Sequence, residues 1–319
     1  MFASTRYGRT SAAMAMLITA AFFLGGAMVT AKLAVHDVPP LTVAASRFAI
    51  ASLLLLAIRQ LVPALAIGSA RPRLGDVPIL AGLGMTASVG YNILLLTGVQ
   101  LAPASDVAMI GPAIGTVVST AVAAAFLRER PQRLAVVGLA VSICGVLLVV
   151  APAGAVDARR LAGDLIFVGC GALWGSYLVI SRLAARRFRP VDIALYGSFV
   201  ATIILVPLSL LENGPTQLAR AGLPSLLAIG HLAVLATVTA FVLLNEGLRR
   251  LGVSRSASFT MMIPVFGVLQ AVVLLGEPLG QGAFLGALLV AGGIWLAQGG
   301  RLPTVTTRVA RLRPAIPSA

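Results

Sequence analysis

The chain has 319 residues, of which 59% are hydrophobic and 11% charged. A soluble domain is nearer half apolar and a quarter charged, so this composition excludes an ordinary soluble fold and points to a membrane protein. The net charge of +14 is spread between apolar runs, which suits membrane topology and contact with anionic lipid, not nucleic-acid binding.

Hydrocarbon leaves no partner for exposed backbone groups, so the spanning elements are helices. The runs are also too long and too continuously apolar for barrel strands. At about 20 apolar residues per crossing, ten spans are expected: 12–31, 41–58, 77–98, 104–127, 134–153, 163–181, 191–211, 223–245, 256–275 and 281–299. The first follows Arg6 and Arg9 like a secretory signal. It is longer than a signal core and more spans follow, so it reads as an uncleaved helix. Pro39-Pro40 and Pro190 start helices; Arg71-Pro72-Arg73, Arg130-Pro131 and Glu277-Pro278 are turns.

With the N-terminus in the cytoplasm, nineteen of the 24 basic residues fall on the cytoplasmic side. Four (Lys32, Arg159, Arg160 and Arg220) fall outside, and only Arg47 lies within a span. This bias sets the orientation and places both termini, including the basic tail 300–319, in the cytoplasm of a cell with an inner (plasma) membrane. Cys144 and Cys170 have no metal spacing and read as packing residues.

The chain repeats itself. FLGGAMVTAKLA at 23–34 aligns with LWGSYLVISRLA at 173–184, and Pro40 with Pro190, at an offset of 150. Ala104–Pro112 aligns with Ser256–Pro264 at 152. Glu129, Gly138 and Gly145 align with Glu277, Gly286 and Gly293 at 148. Each copy holds five spans, an odd number, so the second enters the membrane inverted. Such repeats are an architecture of secondary transporters. The expected organisation is a first repeat at 12–153, a second at 163–299 and the tail. The substrate site is expected between the hairpins 104–151 and 254–299 and the helices bearing Trp174 and Asn92.

Several residues are candidates for the pathway. Arg47, costly to insert near a helix centre, holds a substrate carboxylate or snorkels to the interface. His231, about eight residues into its span, relays a proton or bonds a neighbouring carbonyl. Tyr91, Asn92, Trp174, Tyr177, Ser258 and Met261 line a cavity, or pack and bond neighbouring helices. Gly111-xxx-Gly115, Gly171-xxx-Gly175 and Gly282-xxx-Gly286 permit close helix approach. Asp106, Glu129, Asp192, Glu246 and Glu277 all fall near span ends, so the deep acid that cation or proton exchange needs is missing. No phosphate-binding loop of the G-x-x-x-x-G-K-[ST] kind is present. No metal or cofactor is expected, and no enzyme activity. A homodimer is compatible with these features.

The Gly25…Lys32 end of the first span, Arg47, the Ala104-Ser105…Pro112…Glu129 block, and Trp174-Gly175 with Ser256-Ala257…Pro264…Glu277 together resemble the drug/metabolite transporter superfamily, EamA type. The resemblance covers nearly all of 12–299. It departs where the fourth span is one turn longer and where Gly197 stands at the repeat of Arg47. It implies a ten-helix, all-α exporter of amino acids, other metabolites or drugs, working on small molecules in the bilayer by alternating access. Multidrug or cationic-compound efflux is the alternative. A non-transporting membrane enzyme or assembly partner is a remote one.

Overall fold

A computed structural model describes residues 2–98, 101, 104–126, 133–150, 158–275 and 281–297. Among them there are helices and turns and no strand. Ten rods follow in order. They are α1 (Phe2–Ala34), α2 (Pro40–Leu61), α3 (77–98), α4 (Ala104–Phe126), α5 (Arg133–Val150), α6 (Ala158–Ala184), α7 (Pro190–Leu210), α8 (Leu223–Leu251), α9 (253–275) and α10 (Gln281–Ala297). A short helix, Gly214–Arg220, bridges α7 and α8. Six rods are long and apolar enough to cross a membrane: α1, α2, α3, α6, α7 and α8. Shorter apolar stretches occupy α4 and α5.

Local chemistry sets the ends. Pro40 and Pro190 occupy the first helical position, where a missing N–H costs nothing. Gly252, at φ 83°, turns α8 into α9 where a side chain would be strained. The expected spans 163–181 and 223–245 are extended. α6 begins at Ala158, and α8 runs to Leu251 because Glu246 pairs with Arg249 and Arg250 one turn on. Glu129, Glu277 and the tail 300–319 lie outside the described residues.

Two rods contain π-helical turns, Met85–Gly90 in α3 and Leu232–Thr239 in α8. Hydroxyls fill the widened turns: Thr237 Oγ1 donates to Leu232 O and Thr239 Oγ1 to Val234 O, each five residues back at 2.9 Å. α9 is interrupted at Met261, between Val253–Thr260 and Met262–Leu275.

Packing between the two halves is reciprocal. A Cβ on Gly145 would lie 2.7 Å from Gly286 O, and one on Gly293 would collide with Gly138 O. These are the same contact taken twice, because the sequence aligns Gly138 with Gly286 and Gly145 with Gly293. Likewise a Cβ on Gly175 in α6 would meet Gly115 O of α4 at 2.5 Å, and one on Gly25 in α1 would meet Gly267 N of α9 at 2.8 Å. Residues midway between such pairs meet their own counterparts. Ser52 and Thr202, 150 apart, share a hydrogen bond of 3.2 Å between α2 and α7. Ser142 Oγ donates to Val290 O, 148 residues on, at 3.4 Å between α5 and α10. Self-complementary contact of this kind is what a two-fold axis imposes.

The largest core cluster draws Leu17, Leu83, Trp174, Tyr177, Ile193, Leu244, Leu248, Phe259 and Met261 from both halves.

Candidate functional site

Aromatic residues gather where α6 meets α8 and α3. Trp174 and Tyr177, three apart on α6, stack at 5.6 Å between ring centroids with planes 28° apart. Phe241 of α8 presents its edge to both, at 6.2 and 5.5 Å. Tyr91 of α3 tilts against Trp174 at 6.3 Å. Offset and edge-on pairs of this kind add about 0.5–1.5 kcal/mol each beyond burial.

Beside this group runs a cleft of water-molecule dimensions. Its walls are Phe48 of α2, Leu83 and Ser88 of α3, Tyr177 of α6, Ile193, Ala194, Gly197 and Ser198 of α7, and Phe241 of α8. Both halves contribute. Gly197, the repeat position of Arg47, leaves the wall open, while Ser88 and Ser198 supply its hydroxyls.

Arg47 is half-buried on α2, with its guanidinium 4.6 Å from the Phe48 ring and within electrostatic range of Tyr91. Its Nε has no hydrogen-bond partner among the described residues, and no carboxylate there pairs with it. The guanidinium therefore keeps its capacity for a bidentate anion.

The candidates divide. Tyr91, Trp174 and Tyr177 form one aromatic group, Arg47 is linked to it through Tyr91, and Met261 is fully buried in the same cluster. Asn92 donates its amide to Ser88 O across the π-turn of its own helix. Ser258 is buried and lies outside the cleft wall. His231 is half-buried ten residues before Phe241, about 15 Å along α8, and its Nδ1 has no hydrogen-bond partner among the described residues.

A second polar group extends from the cleft. Asn245 Oδ1 accepts from Tyr177 Oη at 3.0 Å and from Ser181 Oγ at 2.5 Å, and Asn245 is wholly buried. A lone amide inside an apolar run signals it in sequence, but it sits at the expected boundary of its span. Phe241 and Ser198 carry no signal beyond apolar or small character.

The carboxylates fasten helix ends. Asp192 meets Arg59 at 2.6 Å (Nε to Oδ1), and Asp76 pairs with Arg187 and accepts from Arg73 N. Glu212 Oε2 accepts from Thr42 N and Oγ1, at 3.1 and 3.2 Å. Asp37 accepts from Ser225 Oγ at 2.7 Å and lies 2.6 Å from His36 Nδ1. The Ser225 hydroxyl and then His36 hold the Asp37 carboxyl below its ordinary value of 3.8.

The EamA-like transporter family model matches the chain twice, over residues 11–151 and 161–298. A "Probable terminal-alkyne amino-acid exporter" of Streptantibioticus cattleyicolor is 28% identical over 72% of this chain and 76% of its own length. A "Probable amino-acid metabolite efflux pump" of Salmonella typhimurium is 25% identical over 89% of this chain and 93% of its own. A solved crystal structure covering 90% of this chain and 96% of its own, at 21% identity, superposes with a TM-score of 0.73, which establishes a shared fold.

Proposed function

The chain belongs to the EamA-like transporter family, and from that premise we propose that it exports amino-acid-like metabolites by alternating access. The ten rods act as ten spans in two inverted repeats, 12–153 and 163–299, in the inner membrane. Both termini and the basic tail are cytoplasmic. The observation that carries the reading is the aromatic group beside the narrow cleft between the halves, with a guanidinium within electrostatic range of Tyr91 that pairs with no carboxylate among the described residues. A substrate carboxylate docks on Arg47 and its apolar part lies against Tyr91, Trp174, Tyr177 and Phe241. Relatives named for amino-acid export supply the substrate class. Efflux of cations fits less well, because such a substrate needs an anionic wall, and Ser88, Ser198 and Arg47 provide none.

The test is uptake of labelled amino acids into inverted proteoliposomes. Arg47→Gln lowers flux of a carboxylate-bearing substrate at least about tenfold, the worth of one lost charged hydrogen bond, and spares an amide analogue. Equal loss for both removes Arg47 from recognition, and no flux for any solute sinks the transporter reading.

A further inference from the structure

We propose that the break in α9 is a binding site for a sodium ion, built from neutral oxygens shared with α4. This rests on the transport reading only for its purpose, as the coupling ion; the binding itself is separately measurable. An ion coupled to such transport is usually held by an acid in mid-membrane. In α4 the only acid is Asp106, near the start, and α9 has none. Neutral oxygens are the remaining ligand class.

Such oxygens collect at one point. The first part of α9, Val253–Thr260, stops at Met261, about 12 Å from its start. Its end is the negative pole of a helix dipole. Pro264 has no N–H to return to Thr260 O four residues back, so the carbonyl that a continuous helix would occupy is left out of the ladder. Unwound carbonyls and half-helix C-terminal ends are the groups that coordinate sodium in discontinuous transport helices.

α4 brings the second half of the shell. Thr116 Oγ1 donates to Pro112 O at 2.8 Å and lies 3.3 Å from Ala257 O of α9. Thr260 Oγ1 donates to Ala257 O at 2.7 Å. Each hydroxyl proton thus has a good carbonyl, and the two hydroxyl oxygens face each other 3.5 Å apart. When each proton is given to its carbonyl, the two oxygens are left free to share a cation. The distance fits as well, since adjacent oxygens around an ion held at about 2.4–2.5 Å are about 3.5 Å apart in an octahedron.

Burial adds a further observation. Thr116 is 1% exposed, Thr260 2% and Ser256 0%. Ser256 stands one turn before Thr260, on the same face of α9, and its Oγ has no hydrogen-bond partner among the described residues. A buried hydroxyl left unpaired costs about 1–3 kcal/mol, which ligation offsets. Without a carboxylate the shell cannot balance a divalent charge, which selects a monovalent ion.

The experiment is thermal melting of the purified full-length protein in NaCl, KCl or choline chloride at equal ionic strength. Sodium raises Tm by at least about 3 °C over choline, and potassium by less. Thr116→Val and Thr260→Val, which keep side-chain volume, raise the half-maximal sodium concentration at least about tenfold, while Thr260→Ser stays within about threefold of the parent chain. Equal Tm in sodium and choline for the parent chain overturns the site, whether or not the variants fold. So does a sodium midpoint unchanged in both valine variants. Flux that is independent of sodium, with no sodium stabilisation, removes the ion and leaves transport standing. Sodium stabilisation without flux for any solute keeps the ion site and strikes the transport reading alone.

Discussion

Where α2 ends and α7 begins, Arg59 meets Asp192, whose carboxyl is fully buried. Where α2 begins and α7 ends, Thr42 gives Glu212 an N–H and an O–H. The two sites correspond, because Asp192 is the repeat position of Thr42. A second pair behaves alike: Asp37 accepts from Ser225 on one face, and Arg187, the repeat of Asp37, pairs with Asp76 on the other. At these two pairs of positions, one backbone arrangement thus carries arginine–carboxylate pairs on one side and carboxylate–hydroxyl bonds on the other. Parting an ion pair and leaving a buried acid alone costs about 3–5 kcal/mol, whereas a neutral hydrogen bond is worth about 1 kcal/mol. At these positions the arginine–carboxylate contacts are therefore the harder to part, and the proposed topology places them on the cytoplasmic side.

The largest effect should come from breaking the charged end. Arg59→Leu should lower stability by about 3–5 kcal/mol in detergent melts, and adding Asp192→Asn should restore most of it. No recovery in the double variant would show that packing, not the stranded charge, is responsible. Next, the mated helix crossings should respond alike. Gly175→Ala and Gly25→Ala should each cost about 1–3 kcal/mol by overpacking, and a large inequality would mean that one crossing has relaxed. The neutral end should lose only about 1 kcal/mol on Thr42→Val, so a cost near that of Arg59→Leu would abolish the contrast. A double-mutant cycle with Ser52→Ala and Thr202→Ala should give a coupling of about 0.6 kcal/mol.

The smallest effect is at Asp37. Its carboxyl titrates below its ordinary 3.8 in the folded chain, so its contribution is complete above that value. It fades as pH falls through the lower folded value. Asp37→Asn should remove that small acid dependence, and melts against pH that are unchanged by it would exclude the contacts of Asp37 with Ser225 and His36 as a source.

Helix ends and the doubling of the chain were legible in the sequence, because Pro40, Pro190 and the paired glycines are local signals that recur at a near-constant offset. The aromatic group was partly legible. Trp174, Tyr177 and Tyr91 stood out, but Phe241 did not, since a phenylalanine in an apolar run is equally at home facing lipid. Asn245 was missed because apolar content placed the span boundary on it, while the pairing of Glu246 with Arg249 and Arg250 carries α8 a further turn. Asn92 and Tyr91 are neighbours with different employment, one closing a turn and one facing Trp174, and only backbone geometry separates them. That geometry has no sequence mark, for Met85–Gly90 and Leu232–Thr239 read like any apolar helix. Arg59 and Asp192 meet across 133 positions of chain, a distance at which charge patterning says nothing.

The wide turns of α3 and α8 also act as stored register. Each holds about one residue more than the α-turn it replaces, so everything beyond it is rotated by about 100° relative to an unbroken helix. If such a turn moves along its rod by one repeat, the side chains it passes swing by that angle while both helix ends stay where their caps hold them. Ser88 lies inside the α3 turn, and Tyr91 begins the segment after it. The wall of the cleft can thus be re-indexed from within, by a dislocation travelling along a helix whose ends remain fixed.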